Sequence, residues 1–147
     1  MTYNRKFARV ALLATLCLVA VFTIVKASRA SIGSISKGDL NGPWQITLTG
    51  NTGCGLSSIL ATASLTNGTG PATIQMHGQC GDSTTTGQTL TITSLSANGS
   101  GTAGLTCGSG CGWTMKVQVS PDRSTMNLAD VEPTNPNNFI AGMGVHQ

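Results

Sequence analysis

Residues 113–131 read WTMKVQVSPDRSTMNLADV, and this stretch decides the fold class. Trp113, Met115, Val117 and Val119 alternate with Thr114, Lys116 and Gln118. Successive side chains of a strand point to opposite faces, so this period of two makes one apolar and one polar face. Pro121 and Asp122 then interrupt the pattern within Ser120-Pro-Asp-Arg-Ser124, whose residues favour a tight turn. Beyond it, Met126 and Leu128 resume the alternation. The stretch is a β-hairpin.

The same period recurs outward from it. It places Trp44, Ile46 and Leu48 on one face of a first strand, and Ile59, Ala61, Ala63 and Leu65 on a second. Ala72, Ile74 and Met76 mark a third strand, Leu90 and Ile92 a fourth, and a weaker TAGLTC at 102–107 a fifth. The hairpin supplies the sixth and seventh, and Phe139, Ala141, Met143 and Val145 form the apolar set of an eighth. No segment after residue 30 has the 3.6-residue period of a helix, so the chain is all-β.

The connections suggest how the strands close. Asn67-Gly68, Asn98-Gly99 and the SPDRS turn follow strands two, four and six; Asn-Gly tolerates the positive φ of a tight hairpin. The links GNTGCGLSS, GQCGDSTTTG and EPTNPNN, after strands one, three and seven, read as longer loops. Alternate links of a meander lie at opposite ends. The expected fold is therefore a small eight-stranded antiparallel up-and-down barrel with tight turns at one end and loops at the other; a two-sheet β-sandwich is the alternative.

At the first strand, residues 40–44 read LNGPW. Gly42-x-Trp44 at this position resembles the entry motif of lipocalins and the wider calycin group of eight-stranded barrels. The resemblance covers this motif and the strand count. It implies that Trp44 plugs the closed end, with an arginine packed across it. The last strand holds no arginine, but Arg123 lies in a tight turn expected at the same end, where it would stack on Trp44. Gly42, Trp44 and Arg123 are thus the expected barrel-end plug.

Composition bounds where such a domain works. Arg5, Lys6 and Arg9 precede an apolar, uncharged run over residues 10–25, and small residues follow. This predicts a signal peptide over residues 1–30, with cleavage after Ala30 or Ala27; an anchor formed by residues 10–25 is the alternative. Either way the rest is expected to be secreted, periplasmic or otherwise extracytoplasmic: a flexible lead-in over 31–39, then one domain over 40–147. After residue 30 only Lys37, Lys116 and Arg123 stand against Asp39, Asp82, Asp122, Asp130 and Glu132, a net charge of −2. That balance leaves no basic patch for nucleic acid.

Four cysteines fall in that part: Cys54, Cys80, Cys107 and Cys111. All lie at odd-numbered links, hence at the loop end. Cys107 and Cys111 bracket a short hairpin loop, leaving Cys54 for Cys80, and an even number outside the cytoplasm favours disulfides. The spacing suits zinc poorly, and no metal or cofactor is expected. His77, Asp82 and Ser83 lie close in sequence, but no nucleophile-elbow pattern surrounds Ser83, so they read as a strand end and turn. His146 is expected to fray at the terminus. The expected function is therefore non-enzymatic. A small apolar ligand or a partner would sit at the loop-rich end, near Trp113, Met76 and Met115. The alternative is a surface-interaction protein with a filled core.

Overall fold

The computed structural model describes residues 33–108, 111–131 and 138–147, with Cys111 described by its backbone. The expected signal peptide or anchor over 1–30 lies outside the described residues, as does most of the EPTNPNN link. Residues from Gly33 to Gln147 belong to one compact unit. It contains a short 3-10 helix, Lys37–Leu40, and eight strands: β1 Gly42–Thr52, β2 Leu56–Leu65, β3 Thr69–Gly78, β4 Gly81–Leu95, β5 Ser100–Gly108, β6 Cys111–Val119, β7 Thr125–Asp130 and β8 Asn138–His146.

Every strand pairs antiparallel with its neighbours in sequence, and β8 returns to pair with β1, closing the barrel in the order β1 to β8. Closure leaves no free sheet edge, which a two-sheet sandwich would retain. The alternation read from the sequence faces the core in β1, β2, β3, β4, β6 and β7, where Trp44, Ile46, Leu48, Ile59, Ala61, Leu65, Ile74, Leu90, Ile92, Met115, Val117, Met126 and Leu128 are buried.

One end is sealed by the segment before β1. Leu40 and Ile35 are buried in the core, and the Trp44 indole Nε1 donates to the Leu40 carbonyl at 2.9 Å. Each tight turn at this end holds that segment. Ile35 N donates to Ala97 O in the β4–β5 turn at 3.0 Å, Asn67 N in the β2–β3 turn donates to Asn41 Oδ1, and Arg123 Nη2 in the β6–β7 turn donates to Gly33 O at 3.4 Å. The Asn-Gly turns therefore have a second use. At Gly68 and Gly99 a β-carbon would stand 3.1 Å from Lys37 and Ile35 side-chain atoms respectively, so the glycines seat the plug as well as turning the chain. The lead-in assigned to residues 31–39 is built into the domain from Ile35 onward.

Three expectations are corrected. GQCGDSTTTG is not a long loop: only Gln79 and Cys80 separate β3 from β4, and Asp82, Ser83, Thr84 and Thr85 pair with β3 residues. Residues 81–84 are exposed on both faces, so no apolar alternation announces them, and backbone hydrogen bonding alone makes them a strand. The loop asymmetry between the two ends shrinks accordingly. His146 does not fray: it is the last residue of β8, opposite Trp44, and its amide donates to Ser124 O at 2.8 Å.

The third correction concerns β8. Ile140 faces the core, whereas Phe139, Met143 and Val145 are 54 %, 48 % and 38 % exposed. Glycines occupy two of its inward positions because there is no room for more. A β-carbon on Gly144 would meet Met126 Cγ at 3.0 Å and Ile46 Cγ1 at 3.1 Å, and one on Gly142 would stand 1.9 Å from the Thr47 carbonyl oxygen. Trp44 and Ile46 fill the space that larger β8 residues would need.

Candidate functional site

Two places could hold a function: the barrel interior and the outer wall at the loop end. The interior is occupied by its own side chains. A hollow cup would leave its walls facing open space, yet Leu48, Ala61, Leu90, Ile92, Ala103 and Met126 are 0 % exposed, on five of the eight strands. The residues expected to line a ligand site lie in or against this core. Met115 and Trp113 are buried, and Met76 is partly buried against the core. Trp113 Nε1 donates to Asn138 Oδ1 at 3.2 Å, fixing the ring under the start of β8.

The expected plug is only partly assembled. Gly42 has φ of 121°, a conformation that suits glycine, and starts β1 so that Trp44 points inward. The ring stacked on Trp44 is that of His146, with centroids 4.8 Å apart and planes 9° apart. Arg123 lies at the same end but turns to the lead-in: its guanidinium is 3.7 Å from the Asp39 carboxylate and donates to Pro121 O and Gly33 O. Register decides this, because His146 is the direct cross-strand neighbour of Trp44 while Arg123 sits at a turn tip with φ of 62°. The Ser36 amide and hydroxyl, and then Arg123, hold the Asp39 carboxyl below its ordinary value.

At the other end a disulfide joins Cys54, between β1 and β2, to Cys80, at the tip of the β3–β4 hairpin, with a Cα–Cα distance of 5.8 Å. The Cys54 loop is ordered by Asn51, whose Oδ1 accepts from the Gly53 and Gly55 amides at 2.9 and 3.2 Å. Cys107 is disulfide-bonded too, and its neighbour Gly108 pairs with Cys111 across the β5–β6 hairpin. Among the described residues no three His, Cys, Asp or Glu side chains gather as a metal site would require.

Beside the Cys54–Cys80 bridge runs an open groove of about 730 Å³ lined by Thr49, Leu56, Ser58, His77, Gln79 and Phe139, among others. Leu56 is 70 % exposed, the most exposed large apolar residue described. His77 Nδ1 pairs with Asp82 Oδ1 across β3 and β4. The residue that register places on the other side of His77 is Ser58 of β2; Ser83, adjacent in sequence to Asp82, lies opposite Met76 instead. The sequence could not show this, because Ser58 and His77 meet only through strand pairing. The three residues form an outward row, but His77 and Asp82 are 79 % and 77 % exposed. Water screens such a pair and leaves both side chains free to move, so the row lacks the preorganised, dry setting that acid–base catalysis uses.

No protein-family model matches the chain, and no curated protein does.

Proposed function

We propose that this protein is an exported, non-enzymatic, calycin-like barrel whose interior is structural and whose outer wall makes its contacts. The observation that carries the reading is the packed axis. With Leu48, Leu90, Met115 and Met126 buried to 1 % exposure or less, an apolar ligand would have to displace core side chains to enter. The entry motif supports the calycin likeness, since Trp44 closes the barrel end as the Gly-x-Trp resemblance implies. The Cys54–Cys80 bridge agrees with an oxidising compartment. The exposure of His77 and Asp82 speaks against an active site in the groove.

The test is tryptophan fluorescence titrated with long-chain fatty acids and a hydrophobic dye. Trp44 and Trp113 both sit within the core, so a ligand entering the barrel must perturb them. The expected result is no saturable change. A saturable shift of one ligand per chain would overturn the reading in favour of a binding cup.

A further inference from the structure

We infer that the outer face of β8 is a self-association surface, on which a second copy of this chain docks about a two-fold axis. The inference rests on the reading that the outer wall makes the contacts, and it names the partner. Its starting point is the inverted apolar set: Phe139, Ala141, Met143 and Val145 all point outward along one strand, and the three larger ones are 54 %, 48 % and 38 % exposed. Glycine at 142 and 144 keeps the inward side of β8 small.

Among the described residues, the outward positions that flank this ridge are uncharged. On the β1 side, Gln45, Thr47, Thr49 and Asn51 stand beside it; on the β7 side stand Thr125, Asn127 and Ala129. The next strand beyond β1 presents Ser58, Leu60 and Thr62. Ionisable side chains stand at the end of the ridge and farther round: half-buried Asp130 ends β7, His77 lines the groove that Phe139 also lines, and Asp82 and Lys116 lie beyond on β4 and β6. An apolar line containing Phe and Met, set in a neutral polar margin and depleted of charge, is the composition of an interface core with its rim. A net charge of −2 after residue 30 opposes self-association little.

Shape selects a second copy. Two convex barrels touch along a line, and the apolar residues lie on such a line. Running two β8 strands antiparallel about the axis places Ala141 and Met143 near the centre and brings Phe139 of each copy towards Val145 of the other, as a self-complementary contact requires. The 9 residues of β8 at about 3.3 Å each, and a strip three strands wide at about 4.8 Å per strand, give roughly 400 Å² per copy. The two copies together would bury roughly 800 Å², the size of a weak, transient interface, so association is expected only at high protein concentration.

Sedimentation equilibrium of the purified protein from about 10 μM to 2 mM tests this, with Met143→Lys as the disrupting variant and Gln75→Lys, three strands away on β3 and outside the strip, as control. Near-ultraviolet circular dichroism checks that each variant is folded. The expected result is a mass rising towards two chains for the wild type and Gln75→Lys, and a single-chain mass for Met143→Lys. A single-chain mass for the wild type throughout overturns the inference, as does association that survives Met143→Lys. A protein that stays monomeric but binds zwitterionic lipid vesicles also overturns it, and assigns the ridge to membrane contact. None of these outcomes depends on the interior, so a monomer without ligand-induced fluorescence change leaves the packed-barrel reading standing. A dimer with a saturable interior ligand removes only that reading.

Discussion

Removing the Cys54–Cys80 bridge by the double substitution Cys54→Ser/Cys80→Ser will destabilise the domain by an amount the structure fixes. The bridge spans a sequence separation of 26 residues, covering all of β2 and β3. In the chain-entropy model a closed loop of that length removes about 12 cal/mol/K from the unfolded ensemble, or about 3.5 kcal/mol at 25 °C. In the folded state the bridge joins two ends that β-pairing already holds together: Leu56 lies opposite Asn51, and Ser57 opposite Gly78. The native barrel should therefore survive the loss with little change of shape, and nearly all the cost should appear through the unfolded chain. The assay is urea unfolding at 25 °C, with the mass of native and of reduced, alkylated protein confirming which thiols are bonded. The expected outcome is a loss of about 3.5 kcal/mol, seen thermally as a midpoint lower by about 14 °C at roughly 4 °C per kcal/mol. A loss below about 1 kcal/mol would refute the reasoning, because it would mean that the unfolded chain is already confined over this loop.

Two further outcomes follow from local geometry. Gly142→Ala puts a β-carbon against the Thr47 carbonyl where β8 closes onto β1, so unfolding in urea should show a loss of at least about 2 kcal/mol; a neutral result would show that the seam can open to admit a side chain. Asp122 accepts from the Ser120 hydroxyl first, and from the Ser124 hydroxyl and amide, which lowers its carboxyl from 3.8 to about 2. Its contribution to stability is therefore present above its ordinary range and disappears as pH falls through about 2, since the unfolded chain binds the proton first. Carboxyl-carbon NMR should give a midpoint near 2 that rises in Ser120→Ala, and a midpoint at the ordinary value would contradict the hydrogen-bond assignment.

Much of the barrel was legible because its physics is local. A strand with one face inside and one outside must alternate, so the residues from Trp44 to Leu48 and from Trp113 to Val119 announce both their conformation and their buried face. Asn67-Gly68 and Asn98-Gly99 announce their turns because Asn67, Gly68 and Gly99 take a positive φ that few other residues tolerate. The first residues of β4 were illegible for the converse reason: with both faces in water, Gly81 to Thr84 have no core to pattern them. The candidate groove was legible only in part. Cys80 and His77 could be placed near the loop end, but the approach of Ser58 to His77 and of Leu56 to Phe139 depends on register across β8, β1, β2 and β3.

The sequence by itself determined the fold class, the eight strands, the turns of one end and the pairing of Cys54 with Cys80. The first three depend on a period or a residue type acting over a few positions, and the cysteine pairing follows from the strand order they imply. The tertiary structure alone decided which face of β8 is buried. A one-step choice of parity sends either Ile140 or the Phe139–Val145 set inward, and local preference is nearly the same for both. Trp44, Ile46 and Met126 break the tie, because the space they fill leaves only glycine-sized room beneath Gly144. Packing across the barrel therefore put the largest apolar side chains of the last strand on the outside.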